Sequence, residues 1–491
     1  MITTVVRTKV EDRTSRWFIL STSLVAALMV AYSQTFAFAW DEGFHLLAAQ
    51  LIKSGKKPYL DFAFAQTPLN AYWNAAWMRL LGESWRAVQV IDALLTTSAI
   101  ALAAGFLRSR WKEQAAWVLI PVFVLAGANP LVVEFGTIGQ AYAIGLLLIV
   151  AAFRATVEAV RRDRTLFAAL GGLLSSAAAG STLLTAPVAP VLLIWSFIFS
   201  PREKKVSRSV AFLFGAVIPQ LPLLALFVQS PQRVIFDVFR YHMFFRRSDW
   251  PGATQHDIEL YFSWVASPQA LILGALSAAG LWFIARKSGW DLAVRREFYL
   301  CAWLVLALGL YVSTAHPTFT QYYLFTVPFL AILSSVGLFA LGGHLAPRRP
   351  QLLAFGVCLL TCLGLAKELY DRRDDQSWPN LELVAHKVDE VTPPGAPLYA
   401  DEHIYFLTKR TPPPGNEYLS SHKLRLPAAL SEVVHIVPQP KFDEKIMAGE
   451  YDTLETCEEE DWIKRRKLDK IYGQKAEVGD CTVFWQRTSQ K

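Results

Sequence analysis

Long apolar segments dominate the hydropathy pattern of this 491-residue chain. Apolar runs of about 20 residues recur between Trp17 and Ala366, and each is long enough to cross a bilayer as a helix. About eleven spans are predicted, the first from about Trp17 to Ala39. The others start near Arg86, Gln114, Ile138, Leu166, Leu183, Val210, Pro268, Phe298, Tyr322 and Leu352. The first run lacks a small-residue cleavage site, which favours a span over a signal peptide. The pattern predicts a polytopic α-helical membrane protein.

The pattern changes after the first span, because the segment 40–85 has short amphipathic stretches instead of one long apolar run. A helix is predicted with Asp41 as its N-cap. This helix should run to about Lys53 and stop at Gly55. An acidic pair, Asp41 and Glu42, therefore marks the edge of the first span.

A second short helix is predicted in the same segment. Thr67 occupies its cap position, Pro68 its first helical position, and Gly82 ends it. Its aromatic residues suit a helix that lies flat at a membrane–water boundary; they are Tyr72, Trp73 and Trp77. A carboxylate pair beside two such helices is a candidate site.

The apolar runs end near residue 367, and the segment 368–491 has the pattern of a small soluble α/β domain. Helices are predicted at 381–391 and 443–449, and strands at 397–400 and 481–485. We therefore expect a membrane domain over residues 1–367 and a soluble domain over residues 368–491.

Charge predicts the orientation in the membrane. The chain carries a net charge of +7, of which the segment 368–491 contributes −6 and the remainder +13. Alternate loops carry 21 and 9 Lys and Arg residues, and the positive-inside rule places the richer set in the cytoplasm. The N-terminus is then cytoplasmic, and the segment 40–85 and the tail share the outer, periplasmic face of the cytoplasmic (inner) membrane. The basic balance belongs to these loops and indicates no nucleic-acid partner.

Two of the five cysteines, Cys457 and Cys481, lie in the tail. We expect them to form a disulfide, because the tail is placed in an oxidising compartment. No cluster of Cys and His with the spacing of metal ligands occurs in the sequence.

Several residues of the outer loops are candidates for chemistry. Asp41 could accept a proton from a hydroxyl, although a plain capping role would also explain it. Glu42 could bind a metal or orient an acceptor, or could simply favour the helix dipole. His45, one turn after Asp41, could hold that carboxylate or be an ordinary interfacial histidine.

The second large outer loop contains two adjacent arginines, Arg246 and Arg247, beside His242. Guanidinium groups bind phosphate with two hydrogen bonds, so this loop is a candidate phosphate site. Contact with anionic lipid headgroups is the alternative. Inside the second span, Asp92 is expected to have a structural partner, such as Arg86.

Several features of the chain resemble GT-C membrane glycosyltransferases. They are the acidic pair after the first span, the PYLDF and QTPL stretches, the two short helices and the late HPTFTQYYLFTVPFL segment. The most similar group is the bacterial family around the lipid A aminoarabinose transferase and the dolichyl-phosphate-mannose protein mannosyltransferases. That group has Glu-Lys-Pro-Pro before the second short helix, where this chain has Ala65-Gln66-Thr67-Pro68. Gln66 thus stands where the family has a phosphate-contacting lysine, so the aminoarabinose donor is not implied.

The resemblance implies a GT-C fold and a donor sugar linked to a polyprenyl phosphate. An acceptor hydroxyl attacks the anomeric carbon and inverts it, and the lipid phosphate leaves. The resemblance also implies an aspartate of the first outer loop as base, a second acid and, in some members, a divalent cation such as Mg²⁺ or Mn²⁺. Matching positions are Asp41 for the base, Glu134 for the second acid with Gln140 and Tyr142 behind it, and His316, Gln321, Tyr322 and Tyr323 for the donor pocket. A solvated loop acid and an aromatic belt are the plain alternatives.

The sequence therefore predicts an inverting glycosyltransferase with a lipid-linked saccharide, an envelope polysaccharide or a protein as acceptor. A transporter or flippase for a lipid-linked sugar is the chief rival. Such proteins often have inverted repeats and midplane sites, whereas here the ionisable residues gather at one face. A non-catalytic envelope assembly subunit is the third alternative.

Overall fold

The computed structural model describes residues 2–36, 39–111, 115–246, 252–286, 290–373, 378–418, 424–457 and 460–488, and they are mostly helical. The helices up to residue 371 are α1 (Ile2–Ser33), α2 (Ala39–Lys53), α3 (Leu69–Leu81), α4 (Trp85–Arg110), α5 (Ala115–Gly127), α6 (Pro130–Phe135), α7 (Tyr142–Arg161), α8 (Thr165–Ser181), α9 (Val188–Phe199), α10 (Lys205–Val217), α11 (Leu221–Gln229), α12 (Pro231–Ile235), α13 (Ala253–Ala266), α14 (Pro268–Arg286), α15 (Leu292–Ser313), α16 (Val327–Leu345) and α17 (Gln351–Asp371). A π-helix follows α12 at Phe236–Phe245, and 3₁₀ turns lie at Leu183–Thr185, Arg202–Lys204, Ile218–Gln220 and Thr320–Thr326.

The tail adds α18 (Trp378–Val391), β1 (Leu398–Tyr399), α19 (Glu402–Thr408), α20 (Ala428–Val433), α21 (Gln439–Met447), β2 (Thr453–Thr456), α22 (Glu460–Arg465), α23 (Leu468–Ile471), β3 (Tyr472–Val478) and β4 (Cys481–Arg487). Its four strands form one sheet in the order β1-β2-β4-β3. Strands β1 and β2 are parallel, and the other two pairs are antiparallel. All four tail elements predicted from the sequence are present.

Eight helical stretches of the described residues are long and apolar enough to cross a membrane. They are Thr14–Ser33, Trp85–Arg110, Tyr142–Arg161, Arg202–Gln229, Pro268–Arg286, Leu292–Ser313, Thr320–Leu345 and Gln351–Asp371. Three shorter apolar helices, Trp117–Gly127, Thr165–Ser181 and Leu183–Phe199, lie where three further spans are predicted. The predicted class, a polytopic helical membrane protein with a small α/β tail, is confirmed.

Contacts group the chain into two compact units. Unit 1 contains residues 1–33, 89–221 and 252–373, and unit 2 contains residues 34–88, 222–251 and 374–491. In unit 1, α14 and α16 pack closely because glycines face the partner backbone at Gly280 and Gly337. Ser277 and Ser334 add a hydroxyl–hydroxyl hydrogen bond of 3.0 Å at the same contact. Small residues thus bring these two apolar helices together.

Unit 2 joins the loop after the first span, the second large loop and the tail. Helix α2 packs against α3 and against α19 of the tail, where Gly43 faces His403. One apolar cluster fills the space beneath the sheet, and another draws residues from all three segments: Ala63, Ala65, Phe236, Tyr241, Leu424, Val434 and Ile436. The segment 40–85 is therefore built into a folded unit together with the tail.

Three predicted boundaries need correction. The first long helix ends at Ser33 rather than Ala39, because the chain turns at Gln34 and Thr35 before α2 begins. Since α2 begins at Ala39, Asp41 lies inside its first turn, where the helix dipole favours an acid, and is not the N-cap.

The third correction concerns the second short helix. Helix α3 begins at Leu69, so Pro68 is its cap and Thr67 lies outside. The Pro68 carbonyl accepts the first helical hydrogen bond, from the Tyr72 amide at 3.0 Å. A proline suits this position because the cap needs no amide hydrogen there.

Candidate active site

Asp41 lies near the start of α2 with its side chain exposed. Three residues further along the same helix, the ring of Phe44 packs against that of Tyr418, with 4.4 Å between the ring centroids. The Tyr418 hydroxyl lies 3.1 Å from the Tyr241 hydroxyl, so the two form a hydrogen-bonded pair. No ion-pair partner for Asp41 is found among the described residues. The carboxylate is thus accessible and lies on the helix that contacts this phenol pair, of which Tyr241 is buried and Tyr418 partly buried.

The charges of Asp41 and Arg246 both affect the pKa values of this phenol pair. Burial raises the pKa of the Tyr418 hydroxyl well above its ordinary value, and the neighbouring Tyr241 adds to the rise. For Tyr241, burial also raises the pKa, while the hydrogen bond with Tyr418 opposes the rise. In both cases Arg246 lowers the pKa and Asp41 raises it. An acid and an arginine therefore act on one small region of unit 2.

Arg246 is positioned by the π-helix that precedes it. Its backbone amide donates to the Tyr241 carbonyl, five residues back, at 2.8 Å. A π-helix has a wider turn than an α-helix and often occurs at functional sites. The neighbouring Arg247, predicted as the second phosphate ligand, lies outside the described residues.

His242 fixes the π-helix to the first loop. Its Nε2 donates to the Ala65 carbonyl at 2.7 Å. Burial, together with the positive charge of Arg246, lowers the pKa of His242 to about 4. The ring is therefore neutral near pH 7 and contributes position rather than charge.

Glu42 and His45 lie on the buried side of α2, unlike Asp41. The Glu42 side chain has no exposed surface. His45 accepts a hydrogen bond at Nδ1 from the side-chain Nδ2 of Asn70 at 3.4 Å, and burial lowers the pKa of His45 to about 4. Glu42, the predicted metal ligand, belongs to no group of three converging ligand side chains in the described part of the chain.

Gln66 and its neighbours form a tight loop before α3. The Tyr59 hydroxyl donates to the Gln66 carbonyl at 2.6 Å, and the Gln66 amide donates to the Phe64 carbonyl at 2.7 Å. Asp237, which sequence reasoning missed, is buried nearby in unit 2. Burial raises the pKa of Asp237 well above its ordinary value, although a hydrogen bond from the Phe64 amide and the charge of Arg233 oppose the rise. The sequence feature that could have indicated Asp237 is an acidic residue inside the apolar run FDVF.

Glu134 lies near the end of the short helix α6 in unit 1. Asn129 caps this helix by accepting from the Leu131 amide at 3.1 Å, and Pro130 follows as its first residue. Glu134 is buried and forms an ion pair with Arg372. Glu134, the predicted second acid, is thus already paired with an arginine.

The turn before Tyr322 is held by a residue that the sequence analysis did not single out. Asp257 of α13 accepts from the Thr318 amide at 2.7 Å, and its other oxygen pairs with Nδ1 of His316. The hydroxyls of Tyr323 and Ser313 are 2.8 Å apart. An acid on a separate helix left no local pattern that would connect it with His316.

The 3₁₀ segment that follows contacts both α6 and α7. It carries Gln321, Tyr322 and Tyr323, all buried. Tyr142, the first residue of α7, meets the segment through Phe325, with ring centroids 5.9 Å apart. In unit 1 the structure thus assembles most of the predicted donor-pocket residues around the helix of Glu134.

The predicted site residues divide between the two units. Unit 2 holds Asp41, Glu42, His45, Gln66, His242 and Arg246, and unit 1 holds Glu134, Tyr142, His316, Gln321, Tyr322 and Tyr323. Arg86, suggested from the sequence as a partner for Asp92, forms an ion pair with Glu382 at 2.6 Å.

The arrangement of the helices, the loop segments and the small sheet is similar to the folds of solved proteins, as the resemblance in the sequence implies. The chain is similar to ArnT from Cupriavidus metallidurans bound to undecaprenyl phosphate, with a TM-score of 0.67 and 13% identity, over 96% of this chain and 98% of that one. It matches the apo state of the same protein with a TM-score of 0.66, the same identity and the same coverage.

A more distant likeness is to the oligosaccharyltransferase of Archaeoglobus fulgidus in the apo form, with a TM-score of 0.51 and 12% identity, over 90% of this chain and 69% of that chain. No protein-family sequence profile matches the chain, and no curated protein matches it by sequence. At these identities the structural likeness establishes the fold.

Proposed function

We propose that this chain is an inverting glycosyltransferase that moves a monosaccharide from a polyprenyl-phosphate donor to an acceptor hydroxyl. The carrying observation is that the helix of the exposed Asp41 and the π-helix that ends before Arg246 meet at one phenol pair, because Phe44 packs on Tyr418, Tyr418 is hydrogen-bonded to Tyr241, and the Arg246 amide donates to the Tyr241 carbonyl. Asp41 and Arg246 carry the two charges that such a transfer needs, a proton acceptor and a partner for a leaving phosphate. The likeness to a fold that holds undecaprenyl phosphate in ArnT supports this donor class.

In the proposed reaction, the oxygen of the acceptor hydroxyl attacks the anomeric carbon of the donor sugar. The new glycosidic bond forms on the face opposite the phosphate, so the anomeric configuration inverts. The bond between sugar and phosphate breaks, and polyprenyl phosphate leaves with its electron pair. Asp41 takes the hydroxyl proton, and Arg246, with Arg247, holds the developing phosphate charge.

The remaining candidates serve the substrates in this proposal. Glu42 and Glu134 orient the acceptor, although Glu134 would first have to share or exchange its partner Arg372. The donor sugar and phosphate are assigned to the other candidates: His45, Gln66, Tyr142, His242, His316, Gln321, Tyr322 and Tyr323. Glu42 is the proposed ligand of a divalent cation such as Mg²⁺ or Mn²⁺, and none of the steps above is routed through that cation.

We further propose that transfer occurs at the outer face of the cytoplasmic membrane, with Met1 in the cytoplasm and the tail outside. The acceptor is then a lipid-linked saccharide, an envelope polysaccharide or a protein. The unequal basic loops support this orientation. A periplasm-active reporter fused after Lys491 should be active; activity only of a cytoplasm-active reporter would reverse the topology.

The decisive experiment uses the purified full chain in nanodiscs with a panel of polyprenyl-phosphate monosaccharides and membrane-derived acceptors. Acceptor-dependent release of polyprenyl phosphate and an inverted anomeric configuration in the product are expected. Undecaprenyl phosphate alone serves as a binding probe, and it should raise the thermal unfolding temperature. Movement of intact donor across a vesicle bilayer without cleavage would identify the rival, a flippase. No thermal shift with saturating undecaprenyl phosphate would contradict the proposed donor class.

A further inference from the structure

Three side chains of the kinds that bind metals meet at one edge of the sheet of the tail. Asp401 follows β1 and occupies the cap position of α19, His403 lies on α19, and Glu455 lies on β2. Strands β1 and β2 are parallel neighbours, which brings their carboxyl ends to the same edge of the sheet. Residues 54 positions apart in the sequence therefore meet, and the Asp401 amide donates to Glu455 Oε2 at 2.9 Å.

The distances among these side chains are short. Four ligand atoms all lie within 4.8 Å of one another. They are a carboxylate oxygen of Asp401, a ring nitrogen of His403, a carboxylate oxygen of Glu455 and the sulfur of Cys457. The first three residues are buried, with exposures of 3%, 3% and 0%. Cys457 is bonded to Cys481 in a disulfide, so its sulfur is not a thiolate ligand in this state.

The His403 ring supplies an independent sign that something is bound. Its Nε2 makes no hydrogen bond with any described residue, although the side chain is buried. A buried imidazole with an unused nitrogen is costly in an apolar interior but is the form that binds metals.

The two carboxyl groups give the same indication. Glu455 and Asp401 are both buried, and each offers a carboxylate oxygen to the same cluster. A cation between the carboxylates would relieve their repulsion.

We propose that Asp401, His403 and Glu455 bind one divalent transition-metal cation, for which Zn²⁺ is the best fit. Imidazole and carboxylate ligands suit Zn²⁺, with bond lengths of about 2.0–2.2 Å and three protein ligands plus water. Tetrahedral geometry at these lengths puts ligand atoms about 3.4 Å apart, so small side-chain rotations complete the site. This inference does not depend on the proposed transfer reaction.

The position of the metal gives it a structural role in unit 2. A Cβ added at Gly43 would lie 2.9 Å from both the backbone nitrogen and the Cβ of His403, so α19 lies directly against α2. Asp41 lies two residues before Gly43 on α2. A metal that holds His403 therefore holds the surface on which the helix of Asp41 rests.

The test measures metal in the purified full chain after dialysis against a weak chelator. We expect about one Zn²⁺ per chain by elemental analysis, and a Co²⁺-substituted protein with the visible absorption of tetrahedral cobalt. His403→Asn and Glu455→Gln should each weaken binding about 100-fold or more, since even outer-shell changes cost 10- to 100-fold. His435→Asn is the matched control, because His435 is also in the tail with an unpartnered Nε2 but lies outside the cluster.

Other outcomes would overturn the proposal. Wild-type protein that binds no stoichiometric Zn²⁺ or Co²⁺, and whose unfolding temperature Zn²⁺ leaves unchanged, has no such site; this arm stands even if the variants fail to fold. Metal that is lost in Glu42→Gln and kept in His403→Asn belongs elsewhere. If transfer activity is absent from the wild type while Zn²⁺ binds as expected, only the proposed function fails.

Discussion

Two charged regions of this chain are built in opposite ways. In the first, which we call the Arg110 cluster, Arg110 pairs with both Glu297 and Glu158, and Glu158 is also paired with Arg161 at 2.7 Å and Arg162 at 2.5 Å. Every carboxylate of that cluster is paired with an arginine. In the candidate active site, Asp41 is exposed, and no described residue forms an ion pair with it. Paired charges hold helices together, whereas an accessible carboxylate can still accept a proton.

A second acid of unit 2 also differs from the Arg110 cluster. Glu417 is buried, and its Oε2 accepts from the Gly415 amide at 2.7 Å. Burial raises the pKa of Glu417 to about 7, although its backbone hydrogen bonds and the charge of Lys56 oppose the rise. Burial rather than an arginine partner thus sets the pKa of Glu417.

The largest effect is expected for Asp41→Asn. The variant removes the proton acceptor and keeps the size of the side chain, so turnover should fall about 10²- to 10⁴-fold, the range for a general base. Folding should change little, because the dipole benefit of an acid in the first turn is only about 0.3–1 kcal/mol. Transfer rate and thermal unfolding of the same preparation measure the two effects.

Asp61→Asn provides the matched control for Asp41→Asn. Asp61 is exposed in the same loop and accepts from the Lys57 amide at 2.7 Å, which asparagine can also do. It should transfer sugar at the wild-type rate. Wild-type turnover in Asp41→Asn would move the proton acceptor to Glu42 or Glu134.

Arg110→Met tests the paired side of the comparison. It leaves Glu297 and Glu158 without their shared partner, and breaking a buried ion pair in this way costs about 3–5 kcal/mol. The variant should be unstable to detergent and heat, while the protein that folds keeps its turnover. Arg161→Met, at the exposed edge of the cluster, is the control and should be nearly neutral. A stable but inactive Arg110→Met would place this cluster in the chemistry.

Glu417→Gln should stabilise the protein in alkaline solution. The folded pKa of about 7 exceeds the ordinary 4.5, so the stability contributed by the protonated carboxyl is present below 4.5 and lost as pH rises through 7. The loss is about 3 kcal/mol when the shift is converted to energy. At pH 8 the glutamine variant should therefore unfold at a higher temperature than wild type, and at pH 5 the two should be similar. Parallel pH curves would show that Glu417 is not the group responsible.

Arg246→Ala should weaken donor use about 10- to 100-fold, the value of a hydrogen bond to a charged group. Arg246→Lys should be milder, since it keeps the charge but loses the planar, two-pronged geometry. Arg240→Ala is the control, because Arg240 is exposed on the same π-helix. Full activity in an alanine double variant at Arg246 and Arg247 would move the phosphate partner to Lys56, Lys57 or the His316 turn.

The smallest effect is expected for Glu382→Gln. Arg86 and Glu382 form an ion pair of 2.6 Å, but their side chains are 43% and 50% exposed. Exposed pairs contribute less than about 1 kcal/mol and are screened by salt. The unfolding temperature should barely change at physiological ionic strength. A loss as large as that of Arg110→Met would contradict the distinction between buried and exposed pairs.

The spans could be predicted because each is a local apolar run whose length is fixed by the bilayer. The tail elements at 381–391 and 481–485 carried strong patterns of their own for the same reason. Helix ends were less certain, since Pro68 and Thr67 are both plausible caps and only the backbone decides. Strand β2 was missed because it pairs with β4, which is distant in the sequence. Strand β3 was missed although it forms a hairpin with β4 through a two-residue turn.

The candidate site also contains residues that local patterns predict and residues that depend on distant contacts. Asp41 and Arg246 stood out because charged residues at the ends of apolar runs are conspicuous. Asp257 and Tyr418 did not, because their importance comes from contacts with His316 and Tyr241, 59 and 177 positions away. Long-range pairing leaves no trace in local sequence patterns.

The π-helix at Phe236–Phe245 has a consequence for how this loop can vary between related chains. Substitutions at its exposed positions, such as Arg240 or Phe244, leave the backbone path to Arg246 unchanged. Loss of one residue between Tyr241 and Arg246 would turn their i→i+5 hydrogen bond into the i→i+4 bond of an α-helix, which keeps both residues on one side of the helix. A related chain that is one residue shorter here should therefore have an α-helix in place of the π-helix.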